Sequence, residues 1–173
     1  MFRTIDRYED TSLGLPYPVV LFDSAEEEID DATGERIGIS VPHVEGLVAA
    51  IAVARALCPI QLEGAEVKFV RRAIGLSGKD FAEGLGLDPA TLSRWENGKQ
   101  EVGAWADKQV RMAAVISLGD HVPALKLDQK AIVSLVIRPR LPGETLLPEV
   151  RLVSVESGPG DGDVEAWELK LAA

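Results

Sequence analysis

One stretch of 24 residues, Leu76–Lys99, constrains the fold of this chain more strongly than any other feature of its sequence. Ser77 is a favourable N-cap residue for a first helix, and Asp88 followed by proline is a favourable start for a second. Gly86 lies between them and can adopt the positive φ angle that a tight turn requires. The pattern therefore predicts two short helices joined by a tight turn, Ser77–Leu85 and Pro89–Glu96.

The side chains of this stretch divide into an inner apolar set and an outer polar set. Small and apolar residues suit the inner faces of two helices that cross closely: Phe81, Ala82, Leu85, Leu87 and Leu92. A second helix with an exposed polar face is typical of the helix-turn-helix, which lays that helix in the major groove of DNA. We expect base-edge contacts from Ala90, Thr91, Ser93 and Arg94. We expect phosphate contacts at the helix ends from Ser77, Lys79, Asn97 and Lys99.

Three further helices are predicted around this pair. Apolar residues at helical spacing, bounded by a proline at each end, indicate a helix over His43–Leu57. That helix carries so few charges that it is predicted either to be buried or to form a dimer contact. The other two predicted helices are Gly64–Ile74 and Ala104–Leu118.

Strand signals occupy both ends of the chain. Pro18–Asp23 and Glu35–Val41 predict a β-hairpin or short meander, with Thr33–Gly34 as the turn signal between them. The acidic run Glu26–Asp31 is interpreted as a solvated turn, and the alternative is that it meets a basic partner or shields the DNA site. Residues 1–17 show no clear period. After Gly119, three segments separated by turn-rich breaks predict a three-stranded antiparallel sheet: Ala131–Ile137, Val150–Val155 and Val164–Leu171.

The charge of the chain is acidic overall but balanced in the helical region. The 173 residues carry a formal net charge of −10, whereas residues 60–111 hold eight basic and eight acidic side chains. A DNA-binding protein needs cations near the phosphates more than a basic total, so a neutral domain predicts modest non-specific affinity and dependence on dimerisation. The sequence has no long apolar run and no cationic leader pattern, so we expect a cytoplasmic protein with no membrane contact.

Residues 64–115 resemble the Xre/Cro family of bacterial and phage repressors. The resemblance is carried by Arg71, Gly75–Ser77, Phe81–Ala82, Leu87 and Thr91–Gly98. It implies that Arg71 and Glu96 form a buried ion pair that ties the first helix of the domain to the recognition helix. It also implies that Arg94 reads a base, where an arginine suits the two acceptors of guanine, and that Asn97 and Lys99 contact phosphate.

Two positions depart from the family pattern. Gly78 stands where many relatives have a glutamine that anchors the DNA backbone, and Lys79 is the neighbouring substitute. Ala90 stands where relatives often have a longer base-reading side chain, and it offers only a methyl group. Recognition of the DNA sequence is therefore expected to depend on Thr91, Ser93 and Arg94.

A narrower resemblance, over about residues 8–115, is to MqsA-type antitoxins and related regulators. It is carried by Ile39–Leu47 and Leu62–Arg71. In that family the N-terminal module usually holds zinc with two Cys-x-x-Cys pairs, but this chain has one cysteine, Cys58. The resemblance therefore implies neither zinc binding nor an unaltered toxin-binding module here.

No catalytic constellation is recognisable, and we expect neither an enzyme nor a metal or other cofactor. The acidic residues fall in turns and on helix surfaces, and the glycines near Gly75–Gly86 belong to the helix pair rather than to a phosphate-binding loop. Trp95 and Trp105 are predicted to lie in the core, and Trp167 on a sheet face. His43 and His121 are 78 residues apart, so we do not expect them to bind a metal as a pair. Cys58 is interpreted as a small buried residue.

Together these patterns predict an α+β protein with a five-helix Xre-type domain flanked by a small N-terminal β-hairpin module and a C-terminal antiparallel sheet. The predicted division is an acidic module (1–42), a linking or dimerisation helix (43–59), the DNA-binding domain (60–118) and a β-rich module (119–173). The function expected is that of a homodimeric repressor that binds double-stranded operator DNA of palindromic sequence. The alternative is an antitoxin-like protein whose acidic N-terminal module binds a toxin or another regulator.

Overall fold

A computed structural model describes residues 1–125, 129–156 and 162–169, and over these residues the chain is α+β, as predicted. The strands are β1 (Phe2–Asp10), β2 (Val19–Ile29), β3 (Arg36–Ser40), β4 (Glu149–Glu156) and β5 (Asp163–Leu169). The helices are α1 (Val44–Leu57), α2 (Gly64–Ile74), α3 (Gly78–Gly84), α4 (Pro89–Glu96), α5 (Ala104–Leu118) and α6 (Gln129–Ser134). None of the helices described is long and apolar enough to cross a membrane.

The five strands form one mixed sheet in which β2 has neighbours along both sides. β1 runs antiparallel to β2 along one side. On the other side, Val20–Phe22 pair in parallel with β4, and Glu26–Ile29 pair antiparallel with β3. β5 is antiparallel to β4, as predicted for these two segments. The N-terminal and C-terminal strands therefore share a single sheet.

A bulge in β2 separates β3 from β4, its two partners on the side away from β1. Asp23 has a positive φ of 49°, and the pairing with β1 shifts register opposite this point, between Ile5 and Arg7. Such a bulge adds a residue to one strand and increases the local twist. The Ser24 hydroxyl lies beside it and accepts the backbone N–H of Leu152 at 2.8 Å, so the bulge also fastens β4.

One strand at the N-terminus was not predicted, and one prediction there is wrong. Residues 2–10 form a nine-residue strand although they show no period, because β2 supplies a paired neighbour along their whole length. The acidic run is not a turn, since β2 continues through Glu26–Glu28 as far as Ile29. The turn comes later, where Asp30 Oδ1 accepts the backbone N–H groups of Ala32 and Thr33 at 2.7 and 2.9 Å.

The segment Ala131–Ile137 does not form the predicted strand. Its first residues belong to the short helix α6, in which Ile132 is buried and Lys108 Nζ from α5 donates to the carbonyl oxygen of Val133 at 3.0 Å. Packing against α5 therefore overrides the strand preference of its β-branched residues.

Helix α1 is the centre of the core, which is the first of the two alternatives predicted for it, burial or a dimer contact. Eight of its 14 residues are buried, and α5 and β5 both pack against it. Trp167 of β5 is also buried, and its indole N–H donates to the His43 carbonyl oxygen at 3.0 Å, just before α1. Trp95 is buried as predicted, but Trp105 is 63% exposed, so its assignment to the core is wrong. Trp105 lies on α5 opposite the side that carries the buried Val110 and Ala114.

Candidate nucleic-acid interface

Helices α3 and α4 form the helix-turn-helix that the sequence predicts, and local interactions fix both helix starts. The Ser77 hydroxyl accepts the backbone N–H of Asp80 at 3.1 Å and caps α3. The Asp88 carboxylate accepts the backbone N–H of Ala90 at 3.3 Å and caps α4, with Pro89 in the first turn. Gly86 in the turn has φ +67°, a conformation that favours glycine.

The inner faces of the two helices belong to the hydrophobic core of the domain. Phe81 and Ala82 of α3 are buried, as are Leu92 and Trp95 of α4. Helix α4 packs against both α2 and α3. This packing leaves the opposite side of α4 facing solvent.

Arg71 of α2 and Glu96 of α4 form a bidentate ion pair. Arg71 Nε donates to Glu96 Oε1 at 2.7 Å, and Nη2 donates to Oε2 at 3.0 Å. Their side chains are 13% and 11% exposed. The hydrogen bonds to Glu96 raise the pKa of Arg71. A third guanidinium N–H reaches the carbonyl oxygen of Leu76 at 2.9 Å, so Arg71 joins α2, α4 and the start of α3.

The four residues expected to read bases lie on one side of α4. Ala90, Ser93 and Arg94 are exposed, and Thr91 is half-buried. Two side chains hold one edge of the Arg94 guanidinium. Its Nη2 donates to Thr91 Oγ1 at 2.8 Å, and its Nε donates to Gln100 Oε1 at 3.1 Å. The sequence did not indicate Gln100, because it lies beyond the end of the helix.

The four residues expected to contact phosphate are all exposed, but they differ in how far their side chains are already engaged. Ser77 donates to the Asp80 carboxylate at 2.6 Å, and Asn97 Nδ2 donates to the Ser93 carbonyl oxygen at 2.7 Å. Lys79 lies 3.9 Å from the Glu83 carboxylate. Within the described residues Lys99 makes no ion pair, which leaves its ammonium group free to meet an anion.

A buried ionic cluster behind the helix pair was not predicted from the sequence. Glu66 of α2 is fully buried and accepts from Arg55 Nε at 2.5 Å, from the Tyr17 hydroxyl at 2.6 Å and from Arg140 Nη2 at 3.0 Å. Its partners come from the N-terminal region, from α1 and from the segment before β4. The cluster therefore connects the sheet-forming parts of the chain to the helix-turn-helix domain.

Burial and charge act against each other in this cluster. Burial raises the pKa of Glu66, but the hydrogen bonds and the charge of Arg55 outweigh it, so the pKa lies below its ordinary value. Burial and the neighbouring Glu66 carboxylate both raise the pKa of Tyr17. The cluster therefore holds Glu66 ionised, with Tyr17 as a neutral donor to it.

A second buried arginine holds the connection between α1 and α2. Arg111 of α5 is paired with Asp107 and donates to the carbonyl oxygens of Ala56 and Ile60 at 2.9 and 2.6 Å. Asp107 in turn accepts the backbone N–H of Leu62 at 2.7 Å. The one sequence signal that could have indicated these buried groups is Arg55, the single basic residue in the apolar run of α1.

The described residues contain no group of three or more His, Cys, Asp or Glu side chains placed to hold a metal ion. His43 and His121 nevertheless line one cavity of about 380 Å³, in which His43 Nε2 lies 2.7 Å from the Glu165 carboxylate. Cys58 is half-buried with a free thiol.

Comparison with known proteins agrees with this geometry. Residues 67–104, from α2 to the start of α5, match a family model described as "Helix-turn-helix". The chain is 29% identical over 125 residues to a protein of Sulfurisphaera tokodaii named "Putative HTH-type transcriptional regulatory protein". That alignment covers 69% of this chain and 42% of the relative, so the chain spans less than half of the relative's length. No solved structure matches the chain significantly. Residues 67–104 of the chain therefore carry a helix-turn-helix domain.

Proposed function

We propose that this protein is a sequence-specific DNA-binding transcriptional regulator that acts in the cytoplasm as a homodimeric repressor on a palindromic operator. The observation that carries the proposal is the polar, solvent-facing side of α4, with Arg94 at its centre, in an Xre-type helix-turn-helix domain. No enzymatic activity is needed for this function.

In the proposed complex α4 lies in the major groove. Arg94 donates to O6 and N7 of a guanine, while Thr91, Ser93 and the Ala90 methyl group lie along the neighbouring base edges. Phosphate contacts come from Ser77, Lys79, Asn97 and Lys99, and the ion pair between Arg71 and Glu96 holds α4 at its angle to the domain.

An exposed apolar side of α5 supports the proposed dimer. Trp105 and Ile116 are each 63% exposed, and Met112 between them is half-buried. The spacing of seven and four residues places all three on one face of the helix. Because α1 is buried within the chain, α5 is the better candidate for the contact between two copies. A two-fold axis would then present two α4 helices to half-sites one helical turn, or a multiple of it, apart.

The direct test is enrichment of bound sequences from a random DNA pool by the wild-type protein, followed by affinity measurements on the selected site. We expect a palindromic motif with a guanine in each half-site. A base change under Arg94 should cost about 1–3 kcal/mol of binding free energy in the wild type. That penalty should disappear in Arg94→Ala. If Arg94→Ala discriminates as the wild type does, the base-reading assignment is wrong, and if no motif is enriched, the proposed function is wrong.

A second candidate function rests on the exposed acidic end of the sheet. Glu26 and Glu28 of β2 are exposed, and Phe2, which pairs with Glu28, is 60% exposed. Carboxylates around exposed apolar side chains suit a basic protein partner. We infer that such a partner, a toxin in the antitoxin-like alternative, would bind here. The test is co-purification with the product of the adjacent gene, with Glu26→Lys and Glu28→Lys expected to abolish it.

A further inference from the structure

Two side chains hold the guanidinium of Arg94 in one orientation, and both accept hydrogen bonds from the same edge of the group. Thr91, one helical turn earlier, accepts from Nη2 at 2.8 Å, and Gln100, beyond the end of α4, accepts from Nε at 3.1 Å. A long arginine side chain on an exposed helix surface would otherwise sample many rotamers. These contacts therefore restrict Arg94 before any DNA is bound.

The backbone around Gln100 is itself fixed on both sides. The N–H of Lys99 donates to the Arg94 carbonyl oxygen at 2.8 Å, which closes the helix end around Gly98 at φ +66°. Two residues after Gln100, Val102 is buried and its carbonyl oxygen accepts from Gln61 Nε2 at 2.9 Å. Gln100 thus projects from an anchored segment.

The remaining donors of Arg94 match one base. A guanidinium carries five N–H groups in a planar fork, and the contacts to Gln100 and Thr91 use the edge formed by Nε and Nη2. The outer edge, formed by Nη1 and the second N–H of Nη2, keeps two roughly parallel donors. Guanine presents two acceptors, O6 and N7, to such a pair in the major groove.

We propose that Gln100 is a positioning residue for sequence recognition, which holds Arg94 so that its outer edge meets a guanine. The inference rests on the proposed function, since it concerns the same contact with DNA. In this proposal Thr91 also holds Arg94 in place, in addition to any contact of its own with a base. Gln100 then has a specificity role although it lies outside the recognition helix.

The test uses the full chain and the site enriched by the wild-type protein. Fluorescence anisotropy measures the dissociation constant for the selected duplex and for duplexes in which 7-deazaguanine replaces each conserved guanine in turn, which removes the N7 acceptor. The guanine whose replacement no longer matters in Arg94→Ala is the one that Arg94 reads. The readout is the ratio of the two dissociation constants at that guanine, which a uniform change in affinity does not alter.

We expect Gln100→Ala to reduce this ratio about as far as Arg94→Ala does, with an unchanged melting temperature. Gln100→Glu retains the oxygen acceptor, so the ratio should be kept although every duplex binds more weakly. Glu101→Ala is the matched control, because Glu101 is the exposed neighbour in the same segment and should leave the ratio unchanged. In the Arg94→Ala background, Gln100→Ala should have no further effect on the ratio.

The inference is overturned if Gln100→Ala keeps the wild-type ratio while Arg94→Ala loses it. It is also overturned if Gln100→Ala reduces the ratio by the same factor at every conserved guanine, because that pattern indicates a general structural role. Failure of the wild-type protein to enrich any sequence is a separate result, which removes the proposed function and this inference together.

Discussion

Gly64 at the start of α2 lies directly against the backbone of Trp95 in α4. A β-carbon on Gly64 would be 1.6 Å from the Trp95 carbonyl oxygen and 2.4 Å from its carbonyl carbon. Only glycine allows this approach, and the approach sets the distance between the N-terminus of α2 and the end of the proposed recognition helix. The geometry of α4 thus depends on a residue that contacts no DNA.

We expect Gly64→Ala to destabilise the domain strongly, because backbone must move to accommodate the new methyl group. Overpacking typically costs roughly 1–3 kcal/mol and occasionally more, and this case should reach the upper end. Gly84→Ala is the matched control, since a β-carbon there meets nothing within 4 Å. Thermal unfolding should show a lower melting temperature for Gly64→Ala alone. Equal melting temperatures for the two variants would contradict the close approach.

The bounds of the central helices could be predicted because local chemistry determines them. Ser77 and Asp88 are caps, Pro89 suits a first helical turn, and Gly86 and Gly98 adopt positive φ angles. Each of these signals acts within a few residues of its own position. Helix α4 therefore begins and ends as the sequence predicts, and α3 does so within one residue; the bounds of α2 and α5 also match those predicted.

What could not be predicted depends on partners distant in sequence. β1 is a strand because β2 pairs with it, and α6 is helical because α5 covers Ile132. Glu66 is buried with three partners that lie between 11 and 74 residues away. Gln100 meets Arg94 only because the chain reverses at Gly98. No local periodicity encodes such contacts.

Replacing one member of the ion pair between Arg71 and Glu96 should lower the free energy of unfolding more than replacing both. Arg71→Met leaves a carboxylate without its partner, and removing one member of a buried pair typically costs about 3–5 kcal/mol. Because both groups are slightly exposed, we expect about 3 kcal/mol. The double variant Arg71→Met with Glu96→Leu should recover part of this loss. Urea unfolding of the four proteins gives the coupling energy, and additive losses would show that the pair contributes little.

The free energy of unfolding should decrease in acid partly through Glu66. The native fold holds the pKa of Glu66 below its ordinary value of 4.5, so its contribution is complete above that value. The contribution is lost as the pH falls through the lowered pKa of the folded state. Glu66→Gln should therefore be less stable than the wild type at pH 7 by about 3 kcal/mol or more, and the difference should shrink below about pH 4.5.

The measurement is urea unfolding of both proteins between pH 3.5 and pH 7. Glu83→Gln is a suitable control, because Glu83 is exposed and its nearest cation, Lys79, is 3.9 Å away. That variant should follow the wild-type curve. A constant difference between wild type and Glu66→Gln at all pH values would show that ionisation of Glu66 is not involved.

Lys99 should contribute to DNA affinity through charge alone. Each cation that neutralises a phosphate adds about 0.9 to the slope of log affinity against log salt concentration. Lys99→Gln should reduce that slope by about one per half-site and weaken binding to selected and unrelated duplexes alike. Arg151→Gln makes the same charge change on β4, in the sheet, and should leave the slope unaltered. Equal slopes for Lys99→Gln and wild type would remove Lys99 from the interface.

The exposed face of α5 should determine whether two copies associate. Trp105 is the largest exposed apolar side chain on that face, so Trp105→Ser should convert a dimer into a folded monomer. Leu141→Ser is the matched control, because Leu141 is similarly exposed at 62% but lies away from α5. Sedimentation velocity at micromolar concentration measures the association state. The monomeric variant should bind a palindromic site far more weakly than the wild type but an isolated half-site equally well. A wild-type protein that sediments as a monomer, or a Trp105→Ser variant that remains dimeric, would show that this face does not join two copies.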